Sequence, residues 1–206
     1  MVEKVRRSHP VSSIWEQRRW SGATRKPYPR IPRSTRQAVA MKGVGKFGEV
    51  MAGEKGEADY EATREKLRRI VRSGSQPKAI LDFVVKELRR GFPKYTWVGV
   101  YLAEGDELVL KAWTGPQATQ HVRIPIGQGI CGLAARTKTT IVVGDVSKDP
   151  RYLECFPDTR SEIVVPILKD GVAIAEIDID STALDAFSAK DRAFLEELAG
   201  ELARVL

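Results

Sequence analysis

Two runs of β-forming residues, Ser161–Leu168 (SEIVVPIL) and Val172–Asp180 (VAIAEIDID), are separated only by Lys169-Asp170-Gly171. So short a link cannot hold a parallel crossover, and Asp-Gly is a turn signal, so the two runs must return on each other as an antiparallel hairpin. Thr96–Leu102 (TWVGVYL) and Glu107–Trp113 (ELVLKAW) repeat the arrangement across Glu104-Gly105-Asp106. His121–Ile126 and Thr140–Val146 are further extended pieces, and Lys148–Arg160 is irregular. Helical periodicity lies mostly at the two ends of this region. Residues 58–73 carry a sparse apolar face of Tyr60, Leu67, Ile70 and Val71. Pro77 opens a second helix whose Ile80, Leu81, Val84, Val85 and Leu88 form a core stripe, ended by Gly91 and Pro93. A short helix over about 129–137 follows a glycine-rich turn. Ser188 with Asp191 resembles a capping box for a last helix bearing Phe194, Leu195, Leu198, Leu202 and Val205. Hairpins between terminal helices predict an α+β fold, with an antiparallel sheet and helices on one face.

Of the 206 residues, 34 are Lys or Arg and 27 are Asp or Glu, but the surplus is uneven. Residues 1–50 hold 12 basic and 3 acidic residues, whereas 51–206 hold 22 and 24. Whole-chain basicity is therefore no argument for a nucleic-acid-binding domain. Pro10, Pro27, Pro29 and Pro32 interrupt the basic part, which has no sustained periodicity. Residues 1–56 read as a disordered extension and 57–206 as the folded domain. The extension is either a basic arm with Trp15, Trp20 and Tyr28 for stacking, or a tail without function, with Met41 and Met51 as alternative starts. No apolar run approaches a membrane span, and no signal-like segment follows Met1, so a soluble cytoplasmic protein is expected. Two cysteines exclude a disulfide scaffold and an all-cysteine zinc site, and two histidines without carboxylate–histidine spacing give no metal expectation.

Three groups of residues have chemical potential. Cys155 lies in a polar segment, RYLECFPDTR, where Arg151 and Arg160 would favour a thiolate; it is either a nucleophile or a small apolar filler. Cys131 opens the short helix, where the dipole would lower its pKa, unless it simply packs there. Glu176, Asp178 and Asp180 alternate along one strand and share a face, with Ile177 and Ile179 on the other; Glu162 opens the paired strand. Such a face is either solvated or a buried pocket for a cation, whose crowded carboxyls raise one another's pKa.

The runs IPIGQGICGLAARTKTTIVVGDVSKDPRY (Ile124–Tyr152), RSEIVVPI (Arg160–Ile167) and FSAKDRAFLEELA (Phe187–Ala199) resemble a GAF domain. That resemblance covers roughly residues 60–206 and implies a six-stranded antiparallel sheet with a ligand pocket opposite the flanking helices, often dimerising through terminal helices. WVGVYL (Trp97–Leu102), GQGICG (Gly127–Gly132), Cys155 placed 24 residues after Cys131, and DIDS (Asp178–Ser181) are similar to the free methionine-(R)-sulfoxide reductase branch. The resemblance implies Cys155 as the catalytic thiol, with Cys131 or an external thiol resolving it. It also implies Trp97 and Tyr101 against the methionine side chain, with Gly99 leaving room beside them, and Glu162, Asp178 and Asp180 around its ammonium group. Thioredoxin or a small thiol would close the cycle, with no cofactor. This chain departs from the branch at His121, where a third cysteine is common and which could instead donate a proton. It departs again at Ala175-Glu176, often Gly-Val. A non-catalytic GAF sensor is the other reading, weakened because no helix-turn-helix, kinase or cyclase segment accompanies the domain.

Overall fold

The structure is a computed structural model that describes residues 59–206; the basic extension and its aromatic residues lie outside the described residues. Its elements, in chain order, are α1 (Tyr60–Val71), α2 (Pro77–Gly91), β1 (Trp97–Glu104), β2 (Glu107–Thr114), β3 (Arg123–Pro125), α3 (Gly129–Thr137), β4 (Ile141–Val143), β5 (Ser161–Lys169), β6 (Val172–Ser181) and α4 (Ala189–Leu202). The six strands form one antiparallel sheet in the order β3-β2-β1-β6-β5-β4. The hairpins β1–β2 and β5–β6 lie side by side, as their short turns require, with Asp170 and Gly171 both at positive φ in the second turn. Among the described residues no helix is long and apolar enough to cross a membrane.

Odd and even positions of the strands serve different layers. Val98, Val100, Ile163, Val165, Ile167, Ile177 and Ile179 pack with Ile80, Leu81, Val84, Val85 and Leu88 of α2 and with Phe194, Leu195, Leu198 and Leu202 of α4. Burying such a branched or aromatic side chain is worth roughly 1.5–3 kcal/mol, so this cluster holds α1, α2 and α4 to one face. The other face carries a second cluster around Trp97, Tyr101, Ile130, Cys131, Val164 and Phe156, covered by α3 and the segment after β4.

Two strands are shorter than the sequence suggests. Val122 accepts from Leu110 N–H outside the regular ladder, leaving Arg123–Pro125 as β3. After Val143, Gly144 O accepts from Asp185 N–H and Val146 N–H donates to Arg160 O. The chain thereby leaves the sheet into a single 3₁₀ turn at Val146–Lys148. At α4 both halves of the capping box form: Asp191 N–H donates to Ser188 Oγ and Ser188 N–H to Asp191 Oδ2. Asp191 also accepts from Tyr95 (2.7 Å), Tyr60 (2.9 Å) and Lys94 (2.6 Å), tying α1, the start of β1 and α4 together.

Candidate active site

Strand register builds the site. Asp180 lies opposite Trp97 on β1 and Glu162 on β5; Asp178 lies opposite Gly99 and Val164; Glu176 lies opposite Tyr101 and Pro166. Three neighbouring strands therefore offer aromatic, acidic and mixed rows to the same side of the sheet. α3 closes over these rows, and its approach depends on Gly132, where a Cβ would sit 2.5 Å from Pro125 O and 2.7 Å from Gly127 N. The indole of Trp97 folds over Gly99, where a Cβ would lie 2.4 Å from the ring. The room that Gly99 leaves beside Trp97 and Tyr101 is taken by the Trp97 indole itself. Phe156, from the loop after β4, packs on the same indole at 5.6 Å.

Glu162, Glu176, Asp178 and Asp180 are all buried, with Glu176 at 0% exposure, so the solvated alternative for this face falls away. Among the described residues, both oxygens of Glu176, Glu162 Oε2 and Asp178 Oδ1 have no hydrogen-bond partner. Buried carboxyls normally carry donors, so a buried acidic cluster this poor in them suits a cationic group that the described residues do not supply. Burial raises the pKa of all four, and Asp178 adds repulsion at the other three; Asp178 itself is pushed up to about 7. Asp191 is the contrast: burial raises its pKa, but donors from Lys94, Ser188 and Tyr95 outweigh that and hold it at about 2. Among the described residues the indole N–H of Trp97 and the hydroxyl of Tyr152 are also buried without a hydrogen-bond partner, adding neutral polar groups to the acidic set. Residue type alone could not reveal these two, because their exposure and partners depend on the loop that covers them.

The two thiols differ from expectation. Cys131 is buried on α3 and donates weakly to Glu162 Oε1 at 3.8 Å. Burial and the charges of Asp178, Glu176 and Glu162 push its pKa well up, overriding the helix dipole. Cys155 is partly buried, and burial together with Asp178, Asp180 and Glu162 likewise pushes its thiol up. The arginines expected beside it act elsewhere: Arg151 forms a two-point pair with Asp149 at 2.8 and 2.5 Å, and Arg160 is exposed. What does face Cys155 is His121, with Nδ1 3.2 Å from Sγ. Cys131, Glu162 and Asp178 have possible ligand atoms within 4.8 Å of one another.

A family model described as "GAF domain" matches residues 74–206. The chain belongs to the GAF domain family. GAF domain-containing protein A of Dictyostelium discoideum is 34% identical over 151 residues, 73% of this chain and 93% of that protein. The free methionine-R-sulfoxide reductase of Saccharomyces cerevisiae is 42% identical over 107 residues, which span 50% of this chain and 58% of the yeast protein. Among solved structures, free methionine-R-sulfoxide reductase from Neisseria meningitidis in complex with its substrate shares 38% identity, with a TM-score of 0.67. That match covers 71% of this chain and 87% of the other. A protein described as a GAF sensor from Burkholderia vietnamiensis shares 33% identity, with a TM-score of 0.66 over 70% of this chain and 90% of its own. The GAF fold and relatedness to free methionine-R-sulfoxide reductases, hence to oxidoreductases, follow. In this GAF domain the sheet brings together Trp97, Tyr101, Glu162, Asp178 and Asp180, and the covering layers bring Cys131 and Cys155 to the same cluster.

Proposed function

We propose that this GAF domain reduces free L-methionine-(R)-sulfoxide to methionine. The observation that carries the reading is the buried acidic row, four of whose oxygens have no hydrogen-bond partner among the described residues. An α-ammonium group supplies three N–H donors and the missing positive charge, and charge-assisted bonds of this kind are worth about 1.5–3 kcal/mol each. Glu162, Asp178 and Asp180 hold that group, while Trp97 and Tyr101 pack on the side chain that bears the sulfoxide. The Cys155 thiolate forms a bond to the sulfoxide sulfur, and the sulfoxide oxygen, once protonated, ends on Cys155. The products are a sulfenic acid and the methionine thioether; sulfoxide sulfur gains the two electrons that Cys155 sulfur loses. Cys131 then attacks the sulfenic sulfur to give a disulfide and water, and thioredoxin or a small thiol reduces that disulfide. Self-association through the terminal helices and a cytoplasmic location belong to the same proposal.

A second reading, a ligand-binding sensor, is favoured by one observation: the surroundings raise the pKa of Cys155 rather than lower it. Turnover of free and N-acetylated sulfoxide by wild type, Asp178→Asn and Glu162→Gln separates the two. The reductase predicts that blocking the amine, or removing either carboxylate, depresses turnover; a sensor turns over neither substrate in any of the three.

A further inference from the structure

Cys155 stands among acids. Asp178 and Asp180 face it from β6 and Glu162 from β5, while Tyr101, Tyr152 and Cys131 add groups that gain no positive charge. Ionising it in that company needs a proton acceptor that becomes a cation, and Thr119, whose hydroxyl also reaches the thiol, cannot be one. His121 can. Its Nδ1 is 3.2 Å from Cys155 Sγ, closer than Leu153 O, the thiol's other acceptor, at 3.4 Å. The backbone beneath the ring is pinned on both sides: His121 N–H donates to Thr119 Oγ1 at 3.0 Å, and His121 O accepts from the buried Tyr101 hydroxyl at 3.0 Å. Tyr101 is held in the site by its place on β1 opposite Glu176, so the imidazole is tied to the same strand that shapes the pocket.

We propose that His121 is the acid–base partner of Cys155, taking the thiol proton to form an imidazolium–thiolate pair and returning that proton to the departing oxygen. The proposal rests on the reductase reading for its second half only. In the first half the S–H bond breaks and an N–H bond forms, with no change in net charge. In the second, the thiolate attacks the sulfoxide sulfur and the imidazolium N–H protonates the sulfoxide oxygen. The sum is one thiol plus one sulfoxide giving one sulfenic acid plus one thioether, so the thiol's own proton finishes on the sulfenic oxygen. His121 thereby serves ionisation, and resolution of the sulfenic acid falls to Cys131 or an external thiol.

The chain has two cysteines, so Cys131→Ser leaves Cys155 as its single thiol, and alkylation by iodoacetamide reads that residue alone. In the Cys131→Ser protein the rate should level off at lower pH than in Cys131→Ser/His121→Asn. At pH 7 the second variant should react about tenfold more slowly, the effect of roughly one unit in the thiol pKa. Turnover with dithiothreitol should fall about 100-fold in His121→Asn with KM little changed, the size of a lost acid–base group. Superimposable alkylation profiles overturn the pair. Should His121→Asn fail to fold, ¹⁵N NMR titration of His121 in the Cys131→Ser and Cys131→Ser/Cys155→Ser proteins reads the same contact from the other side. A midpoint that moves when the thiol is removed supports the pair, and one that stays overturns it. Because alkylation needs no substrate, a His121-dependent profile in a protein without sulfoxide turnover keeps the pair and rejects the reductase.

Discussion

Asp178 and Asp191 are both buried aspartates, yet burial pushes one up to about 7, opposed only by the Cys131 thiol, while donors from Lys94, Ser188 and Tyr95 outweigh burial and hold the other at about 2. That difference separates a carboxylate that fastens the fold from one that awaits a ligand. In the reductase reading, Asp178→Asn removes one charged acceptor of the ammonium group, so kcat/KM should drop roughly 10- to 200-fold, the equivalent of one charge-assisted bond. Steady-state kinetics on the free sulfoxide check this; kinetics like wild type would mean that Asp178 does not touch the substrate. Glu176 makes the opposite prediction. Its two oxygens have no partner, so Glu176→Leu should stabilise the protein by about 1–3 kcal/mol, as removal of an unsatisfied buried polar group does. Urea unfolding at pH 8 measures it, and a loss of stability would mean that Glu176 is satisfied in solution.

At the scale of elements, the two hairpins and the same-face rows were legible in the sequence, because a period of two and a short turn leave the chain little choice of register. The acids of β6 could be placed on one face from their alternation alone. Whether that face was wet or dry could not, since α3 and the loop after β4 decide it from far along the chain. The same limit hid the contact between His121 and Cys155, 34 residues apart, and the pairing of Arg151 with Asp149. Nor does a sequence show that the Trp97 indole lies on Gly99. The packing of α3 is open to test. Gly132→Ala puts a methyl within 3 Å of two backbone atoms, and should cost about 1–3 kcal/mol as overpacking does. It should also lower affinity for the sulfoxide, because α3 roofs the acids; unchanged stability would mean that the helix backs away freely.

Across the whole molecule, the two kinds of buried acid set opposite edges of a pH–stability profile. Asp191 has a folded pKa below its unfolded value, so its contribution is present above about pH 4 and is lost as pH falls toward 2. Glu162, Glu176, Asp178 and Asp180 have folded pKa values above theirs. Their protonated forms favour folding below about pH 4, and that contribution is lost as pH rises, through about 7 for Asp178. Melting temperature should therefore be higher at pH 5 than at pH 8, and methionine, bringing its ammonium group, should raise it more at pH 8. A flat profile between those values would contradict the buried, donor-poor pocket. The reductase claim itself is tested most directly by incubating the protein with each of the four free methionine sulfoxide diastereomers and dithiothreitol, then quantifying methionine. Methionine is expected from the L-(R) isomer alone, and none from that isomer once Cys155 is replaced by serine. Methionine from no isomer, or equally from all four, would contradict it.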